Sequence, residues 1–251
     1  MKLIGISDIH GYLPPYQKLA NDRFDVLCIC GDLIPLELQS SMEDSKIWFK
    51  EIFSKWCDEA PCEKVIFIAG NHDRYLEKAL TKYGTPEKVA EHLEWSDKMV
   101  FLHDSSYTYK ELEYDKEHDF YIKREILFYG TPWFPFLRNW AFYKDSKGLL
   151  EAFEKIPDCD VLLTHTSGKH MFDTGRIMQY GYGEEIGASE LTDVVLRRRI
   201  GLWLCGHIHS GNHELSEFTD DGFACCGMKV ANVSIKDERY EPTYAPLSVE
   251  I

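Results

Sequence analysis

Short runs of apolar residues recur along the chain, each five or six residues long and rich in Val, Ile, Leu and Phe. They occupy residues 2–7, 25–30, 64–69, 125–129, 160–164 and 201–205. An uninterrupted apolar run of this length is typical of a strand that is buried on both faces. The pattern therefore predicts six buried strands.

Between these runs lie stretches in which apolar residues recur at helical spacing. They predict helices over residues 14–21, 42–59, 74–82, 146–155 and 189–199, the last with Ser189 as its N-cap. Alternating strands and helices indicate an α/β fold in which helices cover both faces of a central sheet. Residues 106–126 and 223–251 have the composition of added strands. Because no linker or repeat interrupts the chain, we predict one domain over residues 1–251.

Side chains that commonly bind metal ions follow five of the six predicted strands. They are Asp8 with His10, Asp32, Asn71 with its neighbour His72, His165, and His207 with His209. In an open α/β sheet, ligands bind beyond the carboxyl ends of the strands. We therefore expect these residues to converge on one site, although they are far apart in the sequence.

The residue types in this set favour a centre of two divalent cations. Two cations about 3.5 to 4 Å apart can hold a nucleophilic water and neutralise charge on a phosphoester. Carboxylate, imidazole and amide ligands suit Mn, Fe or Zn better than Mg, and we favour Mn. Gly31, Gly70 and Gly206 each precede a predicted ligand, where the missing Cβ lets the backbone approach an ion closely. Each motif alone is weak evidence, but five in order predict a dinuclear site.

Composition limits the partners of such a site. The chain has 28 Lys and Arg against 42 Asp and Glu, a net charge of −14. A protein grips long nucleic acids mainly through basic residues, so we predict a small phosphoester substrate and no extended nucleic-acid surface. No apolar run reaches the roughly 20 residues that cross a bilayer, so we predict no membrane association. The eight cysteines include no C-x-x-C pair, and we predict a reduced, cytoplasmic protein.

Together, the five motifs resemble those of the calcineurin-like metallophosphoesterases. That family has the pattern D-x-H, G-D, G-N-H-[DE], a single histidine and G-H-x-H, and all five blocks occur here in order between residues 4 and 209. The resemblance implies a four-layer α/β/β/α sandwich with a dinuclear metal site at the sheet edge. It also implies two ligand sets, which are Asp8, His10 and His209 for one cation and Asn71, His165 and His207 for the other, with Asp32 as the bridge.

The same resemblance implies that His72 donates a proton to the leaving oxygen while water attacks phosphorus. An imidazole suits this role because its ordinary pKa is about 6.5. Two interpretations of Asp73 remain open, an orienting contact with His72 and an N-cap for the helix that begins at Arg74. We favour the N-cap.

Three segments resemble one branch of the family, the small stand-alone proteins related to vertebrate brain phosphodiesterases. They are residues 129–133, 183–191 and 206–209. The resemblance implies hydrolysis of a phosphodiester such as a cyclic or other small nucleotide. One alternative is a phosphomonoesterase for a small metabolite or a serine/threonine phosphoprotein, although Gly31-Asp32 lacks the D-R-G continuation of protein phosphatases. A second is a catalytically silent metal-binding scaffold, which the presence of His72 disfavours.

Four aromatic residues follow the fourth apolar run, and their role stays open at this point. They are Trp133, Phe134, Phe136 and Trp140. Such residues either form a wall against which a nucleobase stacks or pack into the core for their area alone. His170, five residues after His165, is also near enough in sequence to face a substrate, but we do not include it in the predicted site.

Overall fold

The computed structural model describes residues 1–20, 22–115, 120–171, 174–177, 181–210, 213–219 and 222–251. The strands in these ranges are β1 (Lys2–Ile6), β2 (Val26–Cys30), β3 (Lys64–Ile68), β4 (Met99–Phe101), β5 (Ser105–Asp115), β6 (Phe120–Thr131), β7 (Cys159–Thr164), β8 (Thr174–Ile177), β9 (Gly181–Glu185), β10 (Ile200–Cys205), β11 (Ser216–Glu217), β12 (Lys229–Asn232) and β13 (Leu247–Glu250). The helices are α1 (Tyr16–Leu19), α2 (Met42–Ile47), α3 (Ser54–Glu59), α4 (Arg74–Tyr83), α5 (Pro86–Leu93), α6 (Ser146–Phe153) and α7 (Ser189–Val195). A π-helical segment, Trp48–Phe53, joins α2 to α3 without a break.

The strands form two larger sheets. The first has the order β13-β1-β2-β3-β4 and is parallel except for β13, which pairs antiparallel with β1. The second has the order β11-β12-β10-β7-β6-β5, with four parallel strands in its centre and antiparallel strands at its edges. A separate pair consists of β8 and β9. In both sheets, the strands that lead into the metal-ligand motifs are parallel to a neighbouring strand.

Three apolar layers separate the sheets and helices. In β2, Val26 and Cys28 face the second sheet, whereas Leu27 and Ile29 face the helices α2 to α5. The second sheet repeats this arrangement, because Val161 in β7 packs between the sheets and its neighbour Leu162 packs against α6 and α7. Each central strand is thus apolar on both faces. The predicted four-layer α/β/β/α sandwich is confirmed, and the expectation of a single central sheet is wrong.

Most of the predicted elements are present with small differences at their ends. The helix predicted over residues 42–59 is continuous, and the one predicted over residues 14–21 shortens to α1. The sequence analysis missed α5, although Pro86 opens it and the Thr85 hydroxyl accepts a hydrogen bond from the Lys88 N–H at 3.4 Å. Ser189 is wrong as an N-cap, because Ala188 holds that position and Ser189 is already helical.

Two further predictions concern cysteines and membranes. None of the eight cysteines, all within the described ranges, forms a disulfide, and seven of them are buried. In the part of the chain that the structure describes, no helix is both long enough and apolar enough to span a bilayer.

Candidate metal centre

The predicted ligand residues meet where the two sheets lie face to face. Asp8, Asp32 and Asn71 follow β1, β2 and β3 of the first sheet, and His165 and His207 follow β7 and β10 of the second. The sequence analysis placed all five strand ends side by side in one sheet, and that placement is wrong. The side chains nevertheless converge, because the carboxyl ends of both sets of parallel strands point to the same side of the sandwich.

The side chains form clusters whose potential ligand atoms lie within 4.8 Å of one another. The clusters are Asp8 with His10 and His209, Asp32 with His165 and His207, and His10 with Asp32 and His72. The first contains the three residues of one implied ligand set, and the second contains His165 and His207 of the other set together with Asp32. Asp32 lies between them, since its carboxylate is 3.7 Å from His10 Nε2 and 3.5 Å from His165 Nε2.

Hydrogen bonds on the outer side of the histidine rings set their orientation. His165 Nδ1 is 2.8 Å from the Cys30 carbonyl oxygen, and His209 Nδ1 is 2.9 Å from the Asp237 carbonyl oxygen. Each Nδ1–H donates to its carbonyl, so the Nε2 lone pair of each ring faces the centre. This is the usual way in which proteins orient histidine ligands for a metal.

The donor set fits divalent cations. Both ring nitrogens of His10 are buried and have no hydrogen-bond partner in the described part of the chain, a costly state for a polar group without a ligand. In the other predicted ligand set, His165 Nε2 lies 2.9 Å from Asn71 Oδ1 and 3.5 Å from Asp32 Oδ1. Lone pairs that converge in this way need a positive charge between them. Atoms bound to one cation lie about 3 to 4 Å apart, as these do.

Burial and charge shift the pKa values of these groups. Burial lowers the pKa of His207 to about 3, and the charge of His165 acts in the same direction. Burial also acts to lower the pKa of His165, but the Asp32 carboxylate outweighs it and raises that pKa to about 9. Burial opposes ionisation of Asp32, yet the surrounding histidines hold its pKa well below the usual range. The carboxylates of the centre therefore stay ionised.

Four of the converging residues have a left-handed backbone conformation, which is uncommon outside glycine. The φ angles are 54° at Asp8, 40° at His10, 53° at Asp32 and 69° at His207. Backbone strain of this kind is found at functional sites, where the surrounding structure enforces it. Here it turns the chain at the end of each strand, so that Asp8 and His10 reach the same cluster although they are separated by only one residue.

Two glycines allow the strand ends to pack closely. Gly31 has a φ of 94°, and a Cβ there would lie 2.7 Å from His165 Nδ1. A Cβ on Gly70 would lie 2.6 Å from His165 Cε1 and closer still to Asp32. Any larger residue at either position would displace His165 or Asp32.

His72 lies at the edge of the cluster. Its main-chain N–H donates to Asp32 Oδ1 at 2.8 Å, and its Nε2 is 3.8 Å from Asp32 Oδ2. Its Nδ1 is 2.7 Å from Gln39 Oε1, and its ring centroid is 4.4 Å from that of Trp140. Burial lowers the pKa of His72, and the Asp32 charge partly offsets this effect. Gln39 and Trp140 thus hold the ring so that Nε2 points toward the centre.

Asp73 has a different role from the one favoured in the sequence analysis. Its side chain makes no capping hydrogen bond at the start of α4. It accepts instead from three main-chain N–H groups. The shortest distances to its carboxylate oxygens are 3.0 Å from Leu33, 3.0 Å from Ile34 and 2.7 Å from Gly70. Burial, followed by the negative charge of Asp32, raises its pKa to about 7. Asp73 therefore joins the loop after β2 to the loop after β3.

We expect Asp73→Asn to lower the free energy of unfolding by about 2 kcal/mol, because an amide accepts fewer of these buried N–H groups than a carboxylate does. Urea unfolding would measure the change. Asp145→Asn is the matched control, since Asp145 caps α6 on the surface and asparagine caps equally well. An Asp73→Asn variant as stable as the control would contradict this role.

Several residues of the site carry no motif in the sequence. Gln39 contacts His72, the Asp237 carbonyl contacts His209, and the Tyr240 ring lies 4.9 Å from that of His10 and 5.2 Å from that of His209. All three lie in loops that come together only in the folded chain. The Gly-rich and His-rich signals that identified the strand ends are absent around them.

The aromatic residues after β6 divide between the two roles considered above. Phe134 is buried, with its ring 5.3 Å from that of His207, and Trp140 lies against His72. Trp133 is partly buried, and its indole N–H donates to Asp104 Oδ1 at 2.9 Å. Phe136, in contrast, is 67% exposed. Only Phe136 is therefore free to stack on a ligand without rearrangement.

If the clusters bind cations, saturating Mn²⁺ should raise the melting temperature above that in EDTA. A ligand at about 100 times its Kd adds about 2.7 kcal/mol to the stability of the folded state. For a chain of this size, that corresponds to a rise of about 5 to 10 °C, measurable by differential scanning fluorimetry. The shift should shrink in His10→Ala and persist in His92→Ala, because His92 lies on α5. Equal melting temperatures with Mn²⁺ and EDTA would refute the assignment.

Comparisons with known proteins agree with the geometry of the centre. A family model described as calcineurin-like phosphoesterase matches residues 1–211. The UPF0046 protein T07D4.2 of Caenorhabditis elegans is 26% identical, with coverage of 95% of this chain and 58% of the relative. "Probable rhamnogalacturonate lyase C" of Emericella nidulans is 26% identical over 84% of this chain and 17% of its own length.

A shorter match covers 13% of this chain and 15% of the uncharacterized protein MJ1162 of Methanocaldococcus jannaschii, with 52% identity. The chain thus spans little more than half the length of the first relative and less than a fifth of the others.

Proposed function

Because this chain belongs to the calcineurin-like phosphoesterase family, we propose that it hydrolyses a phosphodiester, such as a cyclic or other small nucleotide, with two divalent metal ions. The observation that carries this proposal is the pair of clusters on either side of Asp32, each with its ligand atoms within 4.8 Å. Two adjacent cation sites that share one carboxylate are typical of enzymes that cleave phosphoesters.

We assign the ligands as the family resemblance implies. Asp8, His10 and His209 would hold one cation, Asn71, His165 and His207 would hold the other, and Asp32 would be shared. In support, His165 Nε2 lies 2.9 Å from Asn71 Oδ1. Mn is favoured, with Fe and Zn as alternatives, because the donors are imidazole, carboxylate and amide oxygen. When bound, two such cations polarise the phosphoryl group and make water a better nucleophile.

His72 supplies the proton for the leaving group in this proposal. Its Nδ1–H donates to Gln39 at 2.7 Å, so Nε2 is the atom available to carry and release a proton on the side of the centre. Trp140 covers one face of the ring and limits its exposure to water. A positioned imidazole in this role typically contributes a factor of about 10² to 10⁴ to the rate.

We also propose that residues 1–251 act as one metallophosphoesterase domain, although the family model ends at residue 211. In support, β12 pairs with β10 of the second sheet, and β13 pairs with β1 of the first. The segment after β12 also reaches the centre, since the Asp237 carbonyl orients His209. The last forty residues thus contribute to both sheets and to the site.

Paired assays test the reaction class. With Mn²⁺ present, hydrolysis of bis-p-nitrophenyl phosphate would support the phosphodiesterase, and hydrolysis of p-nitrophenyl phosphate alone would favour a phosphomonoesterase. Absence of both activities in a protein shown to contain metal would favour a catalytically silent scaffold. Activity should disappear in EDTA and return when Mn²⁺ is added back.

A further inference from the structure

A cavity of about 510 Å³ is lined in part by two segments that also carry or contact residues of the metal centre. One of them is the segment after β6, because Phe134 lies against His207 and the next residues, Pro135 and Phe136, line the cavity. Lys169, four residues after the predicted ligand His165, also lines the cavity. Two segments of the chain therefore run from residues of the metal centre to the wall of this cavity.

Three basic and two acidic side chains line the cavity, so the charge of its wall is positive by one unit. Arg138, Lys144 and Lys169 line it, and within the described residues the Arg138 guanidinium and the Lys169 ammonium form no hydrogen bond or ion pair. The acidic groups in its wall are already engaged. Asp145 accepts from the Gly148 N–H at 2.9 Å, and Glu190 accepts from the hydroxyls of Ser146 and Ser189. Although the chain has a net charge of −14, this wall carries three positive charges against two negative ones, and two of the positive groups have no partner among the described residues.

The backbone that carries the lysines is held in place. The Lys169 N–H donates to the Ala188 carbonyl at 3.2 Å, and the Lys169 carbonyl accepts from the Thr192 hydroxyl at 2.9 Å. The Lys144 N–H donates to the Phe134 carbonyl at 3.3 Å, and its ammonium lies 3.9 Å from the centre of the Trp133 ring. The main-chain positions of both lysines are thus fixed by the start of α7 and by the segment after β6.

We propose that this cavity binds a second phosphate group of the substrate while the scissile phosphodiester lies at the metal centre. Arg138 and Lys169 provide charge-assisted hydrogen bonds, which phosphate oxygens accept well. The exposed Phe136 ring at the rim offers an apolar surface to the part of the substrate between the two phosphates. This inference rests on the proposed function and narrows its substrate class to phosphodiesters that carry an additional phosphate, such as nucleotides.

Adenosine 2′,3′-cyclic phosphate with and without a 5′-phosphate would test the inference, because the two compounds differ only in the second phosphate. We expect the Mn-loaded protein to prefer the 5′-phosphorylated compound by about tenfold or more in kcat/KM, mainly through KM. The double substitution Arg138→Ala and Lys169→Ala should abolish that preference. Lys147→Ala should preserve it, because Lys147 is exposed, lies outside the cavity and faces Glu151 at 3.8 Å. An equal preference in the double variant and the wild type would overturn the proposal.

If neither compound is cleaved, the proposed function fails, but the cavity can still be tested. Without turnover, isothermal titration calorimetry on the Mn-loaded full-length chain measures binding of the same two compounds. Affinity about tenfold or more tighter for the 5′-phosphorylated compound, lost in the double variant and kept in Lys147→Ala, would support the cavity as a phosphate site. Equal affinities for the two compounds, or no binding of either, would overturn it.

Discussion

His72→Ala should lower kcat by at least about two orders of magnitude while the protein keeps its metal ions. The reason is geometric, since the Nε2 of His72 faces the centre while its Nδ1–H donates to Gln39 Oε1 at 2.7 Å and so fixes the ring. Steady-state assays with a chromogenic phosphodiester and elemental analysis of the purified variant would measure the two effects separately.

The matched control for this change is His92→Ala. His92 is also partly buried and hydrogen-bonded, to the Tyr83 hydroxyl at 3.1 Å, but it lies on α5 outside the centre. Its removal should leave kcat within about twofold, as for most changes remote from reacting groups. Wild-type activity in His72→Ala would show that the proton comes from another group.

Asp32→Asn should weaken metal binding by about two orders of magnitude or more and reduce activity in proportion. Altering a residue that only supports a metal ligand typically changes the affinity for the metal about 10- to 100-fold. Asp32 belongs to the cluster with His165 and His207, and its carboxylate is 3.7 Å from His10 Nε2 of the other ligand set. A neutral amide would remove the negative charge between the two sets. Inductively coupled plasma mass spectrometry after dialysis against a fixed concentration of free Mn²⁺ would report the number of ions per chain.

Asp58→Asn serves as the control for Asp32→Asn, because Asp58 accepts a hydrogen bond from Ser96 on the surface. That variant should bind as many ions as the wild type. Two ions per chain in Asp32→Asn at the same free metal concentration would contradict the assignment of Asp32 as a shared ligand.

The strands and the residues at their ends were predictable from local sequence. An apolar run such as Lys2–Ile6 is followed at once by Asp8 and His10, so the position of the ligands along the chain follows from where each run stops. The layering was harder to infer from the runs themselves. Leu27 packs against helices and Cys28 against the other sheet, but both are buried apolar residues of one run. The sequence therefore does not distinguish a face covered by helices from a face covered by a second sheet. The family resemblance, rather than periodicity, indicated four layers.

The supporting contacts were not predictable, because they depend on loops that meet only after folding. Gln39 is separated from His72 by 33 residues, and its contact leaves no pattern in the sequence. Asp73 is the reverse case, in which the local sequence indicates a role that the structure does not show. Its position before α4 suggested a cap, but its carboxylate accepts instead from two main-chain N–H groups of the loop after β2 and from one of its own loop. Tertiary hydrogen bonds to a buried carboxylate outweigh a local preference at a helix start.

The division of the ligands between two sheets has a consequence for how the protein matures. Asp8 and Asn71 belong to the amino-terminal half of the chain, whereas His165 and His207 are synthesised much later. Neither half holds a complete set of donors, so high-affinity loading must wait until the two halves have docked. If the chain has the proposed function, a half-folded chain would then be inactive toward phosphoesters. We expect the appearance of activity during refolding to follow the docking step and not the formation of the individual strands.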